Sequence, residues 1–238
     1  MIEALGRAVA DLANRRVLAI MLQALAISLL IFVVAAIILV RFLSGADPCA
    51  LVGLGSCPLG AGSGTIGAIA LTLVAAWFLF PAVAITVIAG FTDRIAAAVE
   101  QARYPEAAKI ARPIGVGRGV LLGLKSGGRL ILFNLLASPF YLLLLATGIG
   151  PLILFVIVNG IGFGRDVAEI AAARHGDRAS RRAWLKRTRG QQHLIGVVVS
   201  VLFLVPFANL VAPVIGTAAG IHLFNGSFWG LEKRRSRR

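Results

Sequence analysis

Apolar residues are distributed in long blocks, and the charged residues lie between the blocks. Four tracts contain no Asp, Glu, Lys or Arg, and they span residues 17–40, 65–92, 130–164 and 190–231. Because a helix rises about 1.5 Å per residue and the hydrocarbon core of a membrane is about 30 Å thick, the first two tracts each fit one spanning helix. The pattern therefore predicts an integral membrane protein with spans at about 17–40 and 65–92.

The third and fourth tracts contain helix-breaking residues near their middle. Ser138-Pro139 and Gly148-Ile149-Gly150-Pro151 interrupt the third tract, and Pro206 and Pro213 interrupt the fourth. Two complete spans need about 40 residues and a turn, which the third tract lacks and the fourth barely reaches. We predict two broken, partly inserted helical hairpins at about 130–164 and 190–231. Two thin hairpins that cross fully are the alternative.

Charge placement predicts how the chain is oriented. The 24 Lys and Arg against 10 Asp and Glu give a net charge of +14. Basic residues concentrate in segments 93–129 and 165–189 and in the tail, whereas segment 41–64 holds one Arg and one Asp. The positive-inside rule assigns the basic segments to the cytoplasm. We predict an all-α integral membrane protein with two full transmembrane helices plus two broken, partly inserted helical hairpins, cytoplasmic termini and a single membrane domain over 1–238.

The sequence contains no recognisable arrangement for catalysis. Gly123-Leu-Lys125-Ser126 lacks the glycine that a phosphate-binding loop needs directly before its lysine, and the three histidines have no spacing typical of metal binding. We therefore predict a protein that is not an enzyme and uses no cofactor or metal. Because the positive charge follows membrane topology, we expect no nucleic-acid partner. Cys49 and Cys57 both lie in segment 41–64, which we predict to be outside the cytoplasm, and they either form a disulfide or remain two free thiols.

The start of the first span is a candidate anion site. Asn14 can cap the helix, and Arg15 and Arg16 add two guanidinium groups at the positive helix end. Ordinary basic flanking of a span is the alternative interpretation. The basic segment 165–189, in which Arg165 and Glu169 are one turn apart, is expected to rest near anionic lipids or to gather soluble anions.

Three stretches resemble the CysZ sulfate permeases and the related etoposide-induced membrane proteins. Residues 155–175 carry Asn-Gly followed by Gly-Arg, Glu and an Ala-x-Arg step, and residues 205–224 carry Pro-x-x-Asn-Leu-x-x-Pro-Val and a closing His-Leu-Phe. Arg15-Arg16-Val17 is similar to the paired arginines before the first span of that family. Gly6-Arg7-Ala8-Val9 weakly echoes its Gly-Leu-x-x-Leu box.

The resemblance implies a multi-pass, homo-oligomeric permease of the bacterial inner membrane. It would pass sulfate or a related oxyanion in a channel-like manner to supply cysteine synthesis. Arg15 and Arg16, with Gly6 and Asn14, would bind the anion. Other residues would hold the hairpins or line the path: Asn159, Arg165, Glu169, Pro206, Asn209, Pro213 and His222. A non-transporting scaffold or an anionic-lipid-binding membrane protein is the competing hypothesis.

Overall fold

The computed structural model describes residues 2–44, 87 and 90–235. The chain divides into two compact units, one formed by Met1–Met21 with Gly90–Arg238 and the other by Leu22–Ala89. The predicted second span at 65–92 lies almost wholly outside the described residues, and so do Cys49 and Cys57. Both predictions therefore stay predictions.

The described residues are almost entirely helical and contain no strand. Their helices are α1 (Ile2–Asp11), α2 (Arg15–Ser44), α3 (Thr92–Arg103), α4 (Pro105–Ile110), α5 (Val116–Leu144), α6 (Gly150–Ala173), α7 (Arg178–Arg187), α8 (Arg189–Leu204) and α9 (Ala208–Arg235). Within the described part of the chain, four segments are long and apolar enough to cross a membrane: Arg15–Ile38, Gly117–Thr147, Gly150–Ala173 and Ala208–Ser227. The predicted all-α membrane class is thereby confirmed, and the predicted first span corresponds to α2.

The third tract forms a helical hairpin, as predicted. A 3-10 turn over Leu145–Thr147 joins α5 to α6, and Gly148 follows with a φ of 71°. That backbone conformation is unfavourable for residues with a Cβ and open to glycine. The Thr147 hydroxyl accepts the Gly150 N–H at 2.9 Å and stabilises the start of α6.

Ser138-Pro139 does not interrupt the third tract, so that part of the prediction is wrong. Pro139 lies inside α5. Its missing N–H would have bonded to the Leu135 carbonyl, which instead accepts the Ser138 hydroxyl at 2.8 Å. The two helices also extend past the uncharged tract, to 29 residues in α5 and 24 in α6. Both helices of this hairpin are therefore long enough to cross the membrane fully, contrary to the expectation from tract length, and the depth of insertion stays a prediction.

The fourth tract breaks at Pro206 but not at Pro213. Helix α8 ends at Leu204 and α9 begins at Ala208, with Phe207 between them at a φ of 65°. Pro213 is accommodated inside α9, which corrects its predicted role as a breaker. Helix α8 has 16 residues, or about 24 Å, less than the roughly 30 Å of a hydrocarbon core. That length supports partial insertion of the fourth hairpin.

Glycines allow α6 and α8 to cross at very close range. A Cβ added to Gly164 would lie 1.9 Å from the carbonyl oxygen of Gln192, and one added to Gly196 would lie 1.8 Å from that of Gly160. Small residues four apart are typical of closely packed membrane helices. Helix α9 packs against this pair as well as against α1 and α3.

Candidate anion site

Asn14 caps α2, as predicted. Its Oδ1 accepts the Arg16 backbone N–H at 2.9 Å, and its carbonyl accepts the Leu18 N–H at 2.8 Å. An Asn at this position satisfies a donor that the first turn leaves without a helical partner. Because the cap occupies the Arg16 backbone N–H, that group cannot donate to an anion. Anion binding would therefore depend mainly on the two guanidinium groups.

Arg15 and Arg16 are both exposed at this helix end. Arg16 Nη1 donates to Gln101 Oε1 at 2.7 Å, which ties the side chain to α3. Its other side-chain N–H groups have no hydrogen-bond partner among the described residues. Arg15 forms no ion pair with any residue that the structure describes. Neither arginine is therefore neutralised by a described carboxylate.

The acidic residue closest in sequence to these arginines is Asp11, and other partners occupy its carboxylate. Asp11 is buried, and its oxygens accept Arg103 Nε at 2.9 Å and contact His222 Nε2 at 2.7 Å. The other ring nitrogen of His222 lies 2.9 Å from the Tyr104 hydroxyl. His222 thus links α9 to α1 and α3, which supports its predicted structural role.

The sequence alone does not indicate the Asp11–His222 contact, because 211 positions separate the two residues. Gly6 lies within α1, exposed, and a Cβ added there would meet no atom within 4 Å. Nothing in its packing requires glycine, and its part in anion binding stays a prediction.

A buried ionic network joins α3 to the end of α6, and the sequence alone does not indicate it. Glu100 is completely buried and accepts Arg174 Nε and Nη2 at 3.1 and 3.0 Å, while its other oxygen lies 2.7 Å from His175 Nε2. Arg174 also bonds to Asp93. Burial raises the pKa of Glu100, but the hydrogen bonds from His175 and Arg174 outweigh it and leave that pKa below its usual value.

Asn159 pairs with Asn134 across the first hairpin. The Asn134 amide donates to Asn159 Oδ1 at 3.0 Å, and the Asn159 amide donates back to Asn134 Oδ1 at 3.3 Å. Asn159 also bonds to the Phe155 carbonyl at 3.0 Å. Because buried amides need such partners in an apolar setting, the pair supports the predicted architectural role of Asn159.

The predicted Arg165–Glu169 contact is present at 2.8 Å, and Arg129 of α5 approaches the same carboxylate at 3.5 Å. Asn209 lies in the first turn of α9, half-buried, where its backbone N–H donates to the Val205 carbonyl at 3.1 Å. No side-chain hydrogen bond joins Asn209 to another described residue. A path-lining role for either Arg165 or Asn209 stays a prediction.

The apolar helices define an all-α membrane protein, and one of them, α2, begins with two exposed arginines and an Asn cap. Residues 4–213 match the family described as "Sulfate transporter CysZ/Etoposide-induced protein 2.4". Because the match covers most of the 238 residues, the chain belongs to this family, and the resemblance inferred from its motifs is confirmed. Comparisons with curated proteins and with solved structures gave no match.

Proposed function

We propose that this protein is a permease of the bacterial inner membrane that conducts sulfate, or a closely related oxyanion, for sulfur assimilation. The observation that carries the proposal is the pair of exposed guanidinium groups of Arg15 and Arg16 at the capped N-terminus of α2, which no carboxylate of the described residues neutralises. This helix is itself apolar enough to span the membrane. An anion bound there would lie where a membrane-crossing element begins.

Guanidinium groups suit a tetrahedral oxyanion because their N–H donors are planar and can bind two oxygens at once. The helix end adds a partial positive charge. Because Asp11 is already paired with Arg103 and His222, its carboxylate adds little repulsion. The proposed site thus combines fixed positive charge with guanidinium N–H donors that have no carboxylate partner among the described residues.

We further propose that conduction is passive and channel-like. Carrying a dianion inward against about 100 mV, negative inside, costs about 4.6 kcal/mol. A proton-driven carrier typically meets such a cost through Asp, Glu or His relays in the membrane. The four uncharged tracts contain no acidic residue, so a proton relay there would depend on a histidine. The candidate is His222, which contacts Asp11 and Tyr104 and which we interpret as a structural link between helices. Net uptake would then follow consumption of sulfate in the cell.

Sulfate binding to the purified protein tests the proposed site. Replacing Arg15 and Arg16 by Ala should weaken sulfate binding by tenfold or more, because hydrogen bonds to charged groups contribute about 1.5–3 kcal/mol each. The matched control replaces Arg178 and Arg187, two exposed arginines of α7, and should bind as the parent does. Equal affinity in the Arg15/Arg16 variant and the parent, measured by calorimetry on folded protein, would return these arginines to a flanking role.

A further inference from the structure

A second basic site lies among α5, α6, α7 and α8. It is a pocket of about 380 Å³ that shares no residue with Asn14, Arg15 or Arg16. Five basic side chains from the four helices line it: Arg129, Arg165, Arg182, Lys186 and Arg189.

The side chains that line the pocket carry an excess of positive charge over their described ion-pair partners. Arg129 and Arg165 are matched by two carboxylates, because Arg129 pairs with Asp166 and Glu169 accepts Arg165 Nε at 2.8 Å. The other three basic residues form no ion pair with any part of the chain that the structure describes: Arg182, Lys186 and Arg189. Three positive charges therefore face the pocket without a counterion from the described residues.

Along α5 and α6 the pocket lining changes from basic to apolar. Phe133 follows Arg129 by one helical turn along α5, and Ile161 precedes Arg165 by one turn along α6. In both helices the apolar residue is the one nearer to the hairpin turn. Beyond the pocket, exposed apolar side chains continue toward the turn, with Leu136 63% and Ile157 52% exposed. A ligand with a charged group and an apolar chain fits this gradient.

We propose that the pocket binds the phosphate of an anionic phospholipid. Arg182, Lys186 and Arg189 would hold the tetrahedral oxyanion by charge-assisted hydrogen bonds, and an acyl chain would run past Phe133 and Ile161 toward the hairpin turn. Free phosphate or sulfate shares the oxyanion chemistry but has no apolar group to pack against Phe133 and Ile161. The proposal requires no transport by the protein, so it stands apart from the proposed permease activity.

Native mass spectrometry of the full chain in non-ionic detergent tests the proposal, with phosphatidylglycerol and phosphatidylcholine as probes. The variant R182Q/K186Q should bind phosphatidylglycerol about 30-fold more weakly than the parent, because each basic residue near a membrane surface contributes about fivefold. The control R178Q/R187Q removes the same charge from α7 outside the pocket and should bind as the parent does. Phosphatidylcholine should bind weakly to all three proteins.

The source of the oxyanion is tested by competition. Millimolar inorganic phosphate should not displace phosphatidylglycerol, and F133Q should weaken lipid binding without changing weak phosphate binding. Displacement by inorganic phosphate would overturn the assignment to lipid in favour of a soluble oxyanion. An equal loss of phosphatidylglycerol binding in R178Q/R187Q would overturn the assignment of the pocket as the lipid site, because general surface charge would then explain the binding. Circular dichroism of each variant verifies that its helices are intact.

Discussion

Replacing Arg174 by Met should strongly destabilise the protein. Met keeps an apolar stem of similar length but removes every donor, so Glu100, which is completely buried, loses its bonds at 3.1 and 3.0 Å and keeps only His175. Removing one partner of a buried ion pair typically costs about 3–5 kcal/mol, because the remaining charge stays desolvated. For a chain of this size we expect the thermal midpoint to fall by about 10 °C.

Circular dichroism at 222 nm in detergent can follow this unfolding. The matched control is Arg178→Met, which removes an exposed arginine in the next helix and should change the midpoint by less than about 2 °C. The double variant E100Q/R174M should be more stable than R174M alone, because Gln leaves no buried charge. A midpoint for R174M equal to that of the control, or no recovery in the double variant, would refute this account of the network.

Three further outcomes are expected. Because the pKa of Glu100 in the folded protein lies below its usual value, the ionised carboxylate stabilises the fold above about pH 4.5. This stabilisation is lost as the pH falls through the folded pKa, so the thermal midpoint should decrease in acid, and E100Q should lack that decrease. Gly164→Leu should destabilise the α6–α8 crossing by about 3 kcal/mol or more, whereas Gly123→Leu, where a Cβ meets nothing within 4 Å, should not. A cysteine at Phe207 should resist an external thiol reagent, and rapid labelling would show that the fourth hairpin crosses fully.

Much of the fold could be predicted from sequence because it follows from local and compositional signals. The apolar tract after Arg16 gives α2, the Gly148 region gives the first hairpin turn and Pro206 gives the second. The errors concern helix continuity. Pro139 and Pro213 suggested breaks, but a hydroxyl can satisfy a freed carbonyl and tertiary packing can hold a helix through a proline.

The cap at Asn14 was predictable because it depends on neighbouring residues, and so was the Arg165–Glu169 contact one turn apart. Contacts between distant segments were not. Glu100 and Arg174 are 74 positions apart, and Asn134 and Asn159 meet only because the hairpin folds. The basic pocket depends in the same way on the close crossing of α6 and α8, which the glycine spacing alone did not indicate.

Sulfate flux into vesicles most directly tests whether this member of the sulfate transporter family conducts sulfate. Vesicles containing the purified protein should take up radiolabelled sulfate down its concentration gradient, faster than protein-free vesicles and without an imposed pH gradient. The variant R15A/R16A should lose most of this flux, whereas R178A/R187A should retain it. Flux equal to that of protein-free vesicles would contradict the permease account. Accumulation driven only by a pH gradient, and lost in His222→Gln, would contradict passive conduction.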